Sequence, residues 1–370
     1  MRAIDSLAAA VCFVLGISTA AASGNFENIM FLHHSTGSNL IAQGGVRNLI
    51  ASYNAQYGEN LEFWDHGYNY QGVRDQNNNS YGSYNIPSDN TNPDGFYALF
   101  NQPLHDPPDN AFSRFMLPHT MGARTITHEV FVFKSCYPTS DISSESMLQQ
   151  YKDWYLSIRE VMDAHPEKIF IPLTPPPLVR SATTPANAER ARRFALWLSS
   201  AEYQAGHPNI FVYNFWWDLA EHDSTSIYYN CLRAAYGGTG GDSHPNQLAN
   251  QTCGPLFVNH IIAAIQAYRQ TQGVDDDYQD LPPASFGLAD NYPNPFNGST
   301  VIRFRLRSAA NVGLTVYDVM GNQVQLLDLG FLSAGEHSAV WNASEAASGV
   351  YFFRLGTETE QKTGKMLLVR

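Results

Sequence analysis

Three residues of this chain have the types that nucleophilic catalysis needs. Ser35 ends an apolar run, Asn28-Ile29-Met30-Phe31-Leu32-His33-His34, and far along the chain stands Asp242-Ser243-His244-Pro245. A serine hydroxyl attacks poorly until a histidine takes its proton, and that histidine works best when a carboxylate orients it. Ser35, His244 and Asp242 can fill those roles in turn. The competing explanation is ordinary: Ser and Asp ahead of a helix commonly cap its first amides.

Other chemistries fit less well. His33, His34, Asp65, His66 and His244 have metal-ligand types, but neighbours on a strand point to opposite faces and rarely share an ion. His33 is therefore expected to pack, His34 to line the site, and no metal or cofactor is expected. The glycine-rich stretch 237–241 lacks the Lys-Ser/Thr ending of a phosphate loop. Cys136 could serve as a nucleophile with His244 but reads better as an inert buried thiol, and Trp64, Trp216 and Trp217 read as core rather than a sugar platform.

A serine meets so distant a histidine only if the fold brings two loops to one edge. The pattern from 28 to 269 predicts strands at 28–32, 61–64, 129–133, 168–173 and 209–213, and helices at 40–53, 147–162, 185–203 and from 245 onward. Alternating strands and helices imply a five-stranded parallel sheet covered on both faces. Ser35 would then sit at the carboxyl end of the first strand, the edge where such sheets bind ligands. Residues 65–110, rich in Asn, Tyr and Gly, read as one long irregular lid or binding loop. Beyond a linker at 273–288, short alternating runs at 301–306, 312–317, 323–327, 337–341 and 350–355 predict a small Ig-like β-sandwich over 289–370.

Apolar residues at 44% and charged residues at 15% describe a folded chain, and a formal charge of -12 argues against nucleic acid and anionic membrane as partners. Residues 1–23 have the build of a secretory signal: Arg2, an apolar stretch over 7–17, and Ala20-Ala21-Ala22. No later apolar run has transmembrane length, so no membrane insertion is expected. Export permits a disulfide. Cys231 and Cys253 are the expected pair, closing a loop around Asp242 and His244, with Cys136 left over.

The placement of Ser35 after the first strand, Asp65-His66-Gly67-Tyr68-Asn69 after the second, and Asp242-Ser243-His244-Pro245-Asn246 before the last helix resembles the SGNH (GDSL-like) hydrolases. The resemblance covers roughly residues 28–269 by element order, within a domain expected at 24–272, and implies a flavodoxin-like three-layer α/β sandwich. Three departures stand out. His34 replaces the Asp of Gly-Asp-Ser, the acid precedes the histidine by two residues rather than three, and the third block, Phe133-Lys134-Ser135-Cys136-Tyr137, has no asparagine. The resemblance implies ester hydrolysis through an acyl-enzyme on Ser35, with an oxyanion hole from the amides of Ser35 and Gly67 and a donor from Ser135.

At the other end, Asn291-Tyr292-Pro293-Asn294-Pro295-Phe296-Asn297, Val316-Tyr317-Asp318-Val319-Met320-Gly321, Ala347-Ser348-Gly349-Val350-Tyr351 and the closing Lys365-Met366-Leu367-Leu368-Val369-Arg370 resemble the type A sorting domain of the type IX secretion system. That implies recognition by the type IX machinery through 289–370 and a secreted or surface-attached product. Together these expectations describe a secreted serine esterase acting on an acylated carbohydrate. The alternatives are a non-catalytic glycan-binding protein of the same fold and a sugar O-acyltransferase.

Overall fold

The computed structural model describes residues 25–87, 92–271 and, apart from 290, 292–293, 295, 297–298, 333–334 and 344–345, residues 286–369. The expected signal segment 1–23 and most of the expected linker lie outside the described residues.

In chain order the first elements are β1 (Asn28–Leu32), α1 (Ser35–Gly44), α2 (Val46–Tyr57), β2 (Glu62–His66), β3 (Val73–Arg74), α3 (Pro93–Phe100), α4 (Ala111–Met116), β4 (His119–Met121), β5 (Arg124–Ile126) and β6 (Val130–Lys134). There follow α5 (Glu145–Asp163), β7 (Ile169–Leu173), α6 (Pro185–Leu198), α7 (Ala201–Gln204), α8 (Phe215–Leu219) and α9 (Gln247–Thr271). Five strands make one sheet in the order β3-β2-β1-β6-β7. Its strands are apolar on both faces because both are covered. Met30, Leu32, Trp64, Phe131 and Phe133 point into a core with α3 to α6. Ile29, Phe31, Phe63, Val130 and Val132 point into the opposite core with α1, α2 and α9. The period-two alternation of side chains thus builds a layer of helices on each side.

The sheet is mixed, not wholly parallel as expected. β1, β2, β6 and β7 are parallel, while β3 pairs antiparallel with β2. The expected strand at 209–213 joins β7 only through isolated bridges at Ile210 and Tyr213. Pro172 explains the interruption. It has no N–H to donate in mid-ladder, and the Phe211 carbonyl accepts from His260 Nε2 instead. The helix expected over 40–53 is two helices, broken at Gly45, whose φ of 70° suits glycine. Residues 65–110 are not one irregular loop: they hold β3 and α3, and Tyr84, Ile86, Phe96 and Phe100 anchor them in the core.

The expected disulfide is absent. Cys136, Cys231 and Cys253 are free and buried. Cys253, on α9, points into the core, whereas Cys231 lines a surface cavity beside Arg180 and Tyr228. Burial pushes both thiols up, which leaves them as packed apolar groups.

The C-terminal region holds β8 (Gly287–Leu288), β9 (Ser299–Leu306), β10 (Ala310–Tyr317), β11 (Gln323–Leu332), β12 (Gly335–Asn342), β13 (Gly349–Gly356) and β14 (Gln361–Leu368), paired antiparallel, with one parallel bridge from Phe296 to Leu368. They form one four-stranded and one three-stranded sheet. Ile302, Phe304 and Trp341 of one sheet meet Leu314, Val316 and Phe353 of the other in a single core. The final run is itself a strand, pinned by Asn294, which accepts from Leu367 N–H and donates to the Lys365 carbonyl.

Candidate active site

β1 and β6 are neighbours, but the chain leaves β1 towards β2 and leaves β6 towards β7, on opposite sides. A crevice opens where such connections diverge, at the carboxyl ends of the strands. Ser35, the first residue of α1, stands there after β1, and Ser135 and Cys136 stand there after β6. The His34 side chain does not cap α1; its carbonyl accepts from the Gly37 and Ser38 amides, and the Ser35 N–H has no partner among the described residues.

The loop before α9 supplies the partner. Asp242 Oδ1 accepts from the His244 backbone N–H at 3.0 Å and from the ring Nδ1–H at 2.6 Å. One carboxylate oxygen therefore fixes both the turn and the tautomer of the imidazole, as a short Asx-type turn can. The opposite nitrogen, Nε2, lies 2.8 Å from Ser35 Oγ. Ser243 between them is buried, and its hydroxyl accepts from Val179 N–H at 3.1 Å, tying the loop to the domain. The hydrogen bond from His244 holds the Asp242 carboxyl below its ordinary range although its side chain is 73% exposed.

Other predicted residues divide. Gly67 follows β2, and its N–H has no partner among the described residues. His34 is buried and stacks on Tyr68 with ring centroids 3.8 Å apart; Tyr70 stacks on Tyr68 in turn and reaches solvent. His33 packs: its Nδ1 lies 2.8 Å from the His34 carbonyl and its Nε2 3.0 Å from Asp65. Asp65 also accepts from Arg47. Burial alone would raise its carboxyl, but His33 and Arg47 outweigh that and hold it low. The Ser135 side chain turns away from the crevice. Its hydroxyl is buried 3.4 Å from that of Tyr155. Trp64 and Trp216 are core, while Trp217 is partly exposed and stacks on His222.

Cys136 is placed differently from the inert thiol expected. Its sulfur is 3.9 Å from Ser35 Oγ and 3.9 Å from Thr36 Oγ1. Lys134, fully buried in β6, donates to Thr36 Oγ1 and to the Ser135 carbonyl. Burial pushes the Cys136 thiol up, but the Lys134 charge and hydrogen bonds from Ser35 and Thr36 bring it below the ordinary thiol range. Burial in turn pushes Lys134 down. The signal was a lysine closing an otherwise apolar strand, Val-Phe-Val-Phe-Lys.

Among the described residues no three His, Cys, Asp or Glu are grouped to hold a metal ion, and no helix is long and apolar enough to cross a membrane.

Comparison with known proteins informs the C-terminal region. Residues 290–369 match the family model of a secretion system C-terminal sorting domain. The chain therefore carries a type IX sorting domain, which implies interaction with that secretion machinery and a secreted or cell-surface location. No curated protein matches the sequence. Among solved structures, PorZ, a surface component of the type-IX secretion system of Porphyromonas gingivalis, is 20% identical over 23% of this chain and 12% of its own, with a TM-score of 0.18. The Ig1 domain of mouse SynCAM 2 is 19% identical over 22% of this chain and 93% of its own, with a TM-score of 0.15. An engineered protein is 13% identical over 90% of this chain and 60% of its own, with a TM-score of 0.21. Likenesses this weak assign no fold.

Proposed function

We propose that residues 25–271 are a serine esterase domain of SGNH type that removes small acyl groups from a carbohydrate. The observation carrying this reading is the 2.8 Å approach of His244 Nε2 to Ser35 Oγ, with Asp242 holding the other ring nitrogen. In the reaction, His244 accepts the Ser35 proton as Oγ attacks the ester carbonyl carbon. The oxyanion forms beside the unengaged amides of Ser35 and Gly67. His244 then protonates the departing alcohol, and Ser35 keeps the acyl group. A water, deprotonated by His244, attacks the acyl-enzyme, and the carboxylate leaves as Ser35 regains its proton. Strand order supports the fold reading. With the bridged segment 209–213 counted beyond β7, the parallel strands run second, first, third, fourth, fifth along the sheet, which is the flavodoxin-like order. The carbohydrate assignment rests on the sorting domain and on the Tyr68–Tyr70 stack beside the site.

One observation favours a second reading, a non-catalytic glycan-binding protein on this fold: Ser135 faces Tyr155, and a thiol occupies the block where a third oxyanion donor would stand. Acetate release from p-nitrophenyl acetate and acetylated xylan separates the two. Esterase activity in the wild type that is lost in Ser35→Ala supports catalysis; equal rates in both proteins remove it. Product formed faster than hydrolysis when an acceptor glycan is present would identify an acyltransferase.

A further inference from the structure

We infer that the cavity beside Gly67 is a subsite for a carboxylate carried by the substrate, so that the preferred glycan contains uronate residues. The inference rests on the esterase reading and names its substrate class. The cavity has a volume of about 420 Å³, within the range of small-ligand sites, and is lined by Ser38, Arg47, Asp65, Gly67, Gln71 and Arg74 among others. Ser38 is one turn along α1 from Ser35, and Gly67, whose free amide is described above, forms part of the wall, so the cavity adjoins the candidate site through these two residues, although Ser35 and His244 do not line it.

The two arginines are not equivalent. Arg47 is committed inside the protein: its Nε–H donates to the Asp75 carbonyl at 3.0 Å and its terminal nitrogen to Asp65. Asp65 is in turn paired with Arg47, with His33 Nε2 3.0 Å from its other oxygen. Arg74 has no hydrogen bond or ion pair from its side chain among the described residues. It is half-buried, on a strand fixed by pairing to Asp65 on one side and bridged to Ser80 on the other. The turn that follows is closed by Asp75, which accepts from Asn77 and Asn79. A guanidinium held on a rigid hairpin with its fork unused matches a carboxylate bidentately. In a chain of net charge -12, a cavity whose one uncompensated charge is positive is a local exception.

Ser35→Ala protein, which binds without turning over, is titrated calorimetrically with trigalacturonate, with neutral xylotriose and with a sulfated oligosaccharide. The expected result is tighter binding of trigalacturonate than of xylotriose, weakened about tenfold or more by adding Arg74→Gln, the usual worth of a charge-assisted pair. In the active enzyme, the ratio of kcat/KM on acetylated polygalacturonate to that on acetylated xylan falls by a similar factor with Arg74→Gln, and Arg74→Lys restores it only in part. Equal losses on both polymers, or equal affinity for trigalacturonate and xylotriose, overturn the inference. Tighter binding of the sulfated ligand than of trigalacturonate overturns the carboxylate. Because the titration needs no catalysis, absence of esterase activity with intact uronate binding would fault the esterase reading alone.

Discussion

Gly254 of α9 stands so close to Gly44 of α1 that a Cβ on Gly254 would lie 2.2 Å from the Gly44 carbonyl oxygen. These two helices start beside the two halves of the candidate site, α1 at Ser35 and α9 just after His244. Their glycine contact therefore sets the distance across which the hydroxyl meets the imidazole. Gly254→Ala must force the helices apart. It should lower stability by about 1–3 kcal/mol, as overpacking does, and reduce esterase turnover more than a surface Ala control. A variant with unchanged melting temperature and turnover would show that the crossing does not set the site.

Ser35→Ala and His244→Ala should each lower kcat by roughly 10⁴-fold or more, and the double variant should lose little beyond either, since the two act as one unit. Asp242→Asn should cost less than either, because its exposed carboxylate works against water and salt. Steady-state kinetics on p-nitrophenyl acetate check the order; additive losses would break the pairing.

Cys136 should react with iodoacetamide before Cys231 and Cys253 in the folded protein, because its thiol is held low while burial raises the other two. Alkylation should abolish activity by filling the space beside Ser35. Lys134→Met should move the pH profile of labelling upward. Mass spectrometry of the labelled peptides reads the order directly, and labelling of Cys253 first would contradict it.

Asp218 should make the protein more stable as pH falls from 7 towards 4. Burial raises its carboxyl from 3.8 to about 6, against the lowering effects of the Tyr213 hydrogen bond and Arg233. A folded-state value above the unfolded one gives a contribution fully present below about pH 3.8 and lost as pH rises through about 6. In Asp218→Asn that component disappears, so the gain in melting temperature between pH 7 and pH 5 should shrink. An unchanged gain would show that the carboxylate does not titrate in this window.

Much of this was legible along the chain because it is local. The apolar runs of β1, β6 and β7 mark buried strands, and the spacing of α5 and α6 marks amphipathic helices. Asp242 and His244 lie two residues apart, so one turn suffices to join them. The alternating terminal runs mark antiparallel strands, and the sorting motifs stand as contiguous words that a family model reads without a fold.

What the sequence could not carry is whatever depends on which surfaces meet. A period-two apolar pattern suits either strand direction, so β3 could be read as neither antiparallel nor present. The rung missing at Pro172 weakens a strand that propensity alone would accept. Spacing around the candidate turn suggested a Cys231–Cys253 bridge, but the two thiols face different packing environments. Residue type likewise made Ser135 a donor and Cys136 a bystander, and the orientation of the segment after β6 reversed them. The sequence by itself determined the elements, the residue types able to do chemistry and the sorting domain. Only the tertiary structure decided that Ser35 and His244 touch, which thiol shares their crevice and which arginine is left without a partner, because contact between distant segments is decided by packing and not by order along the chain.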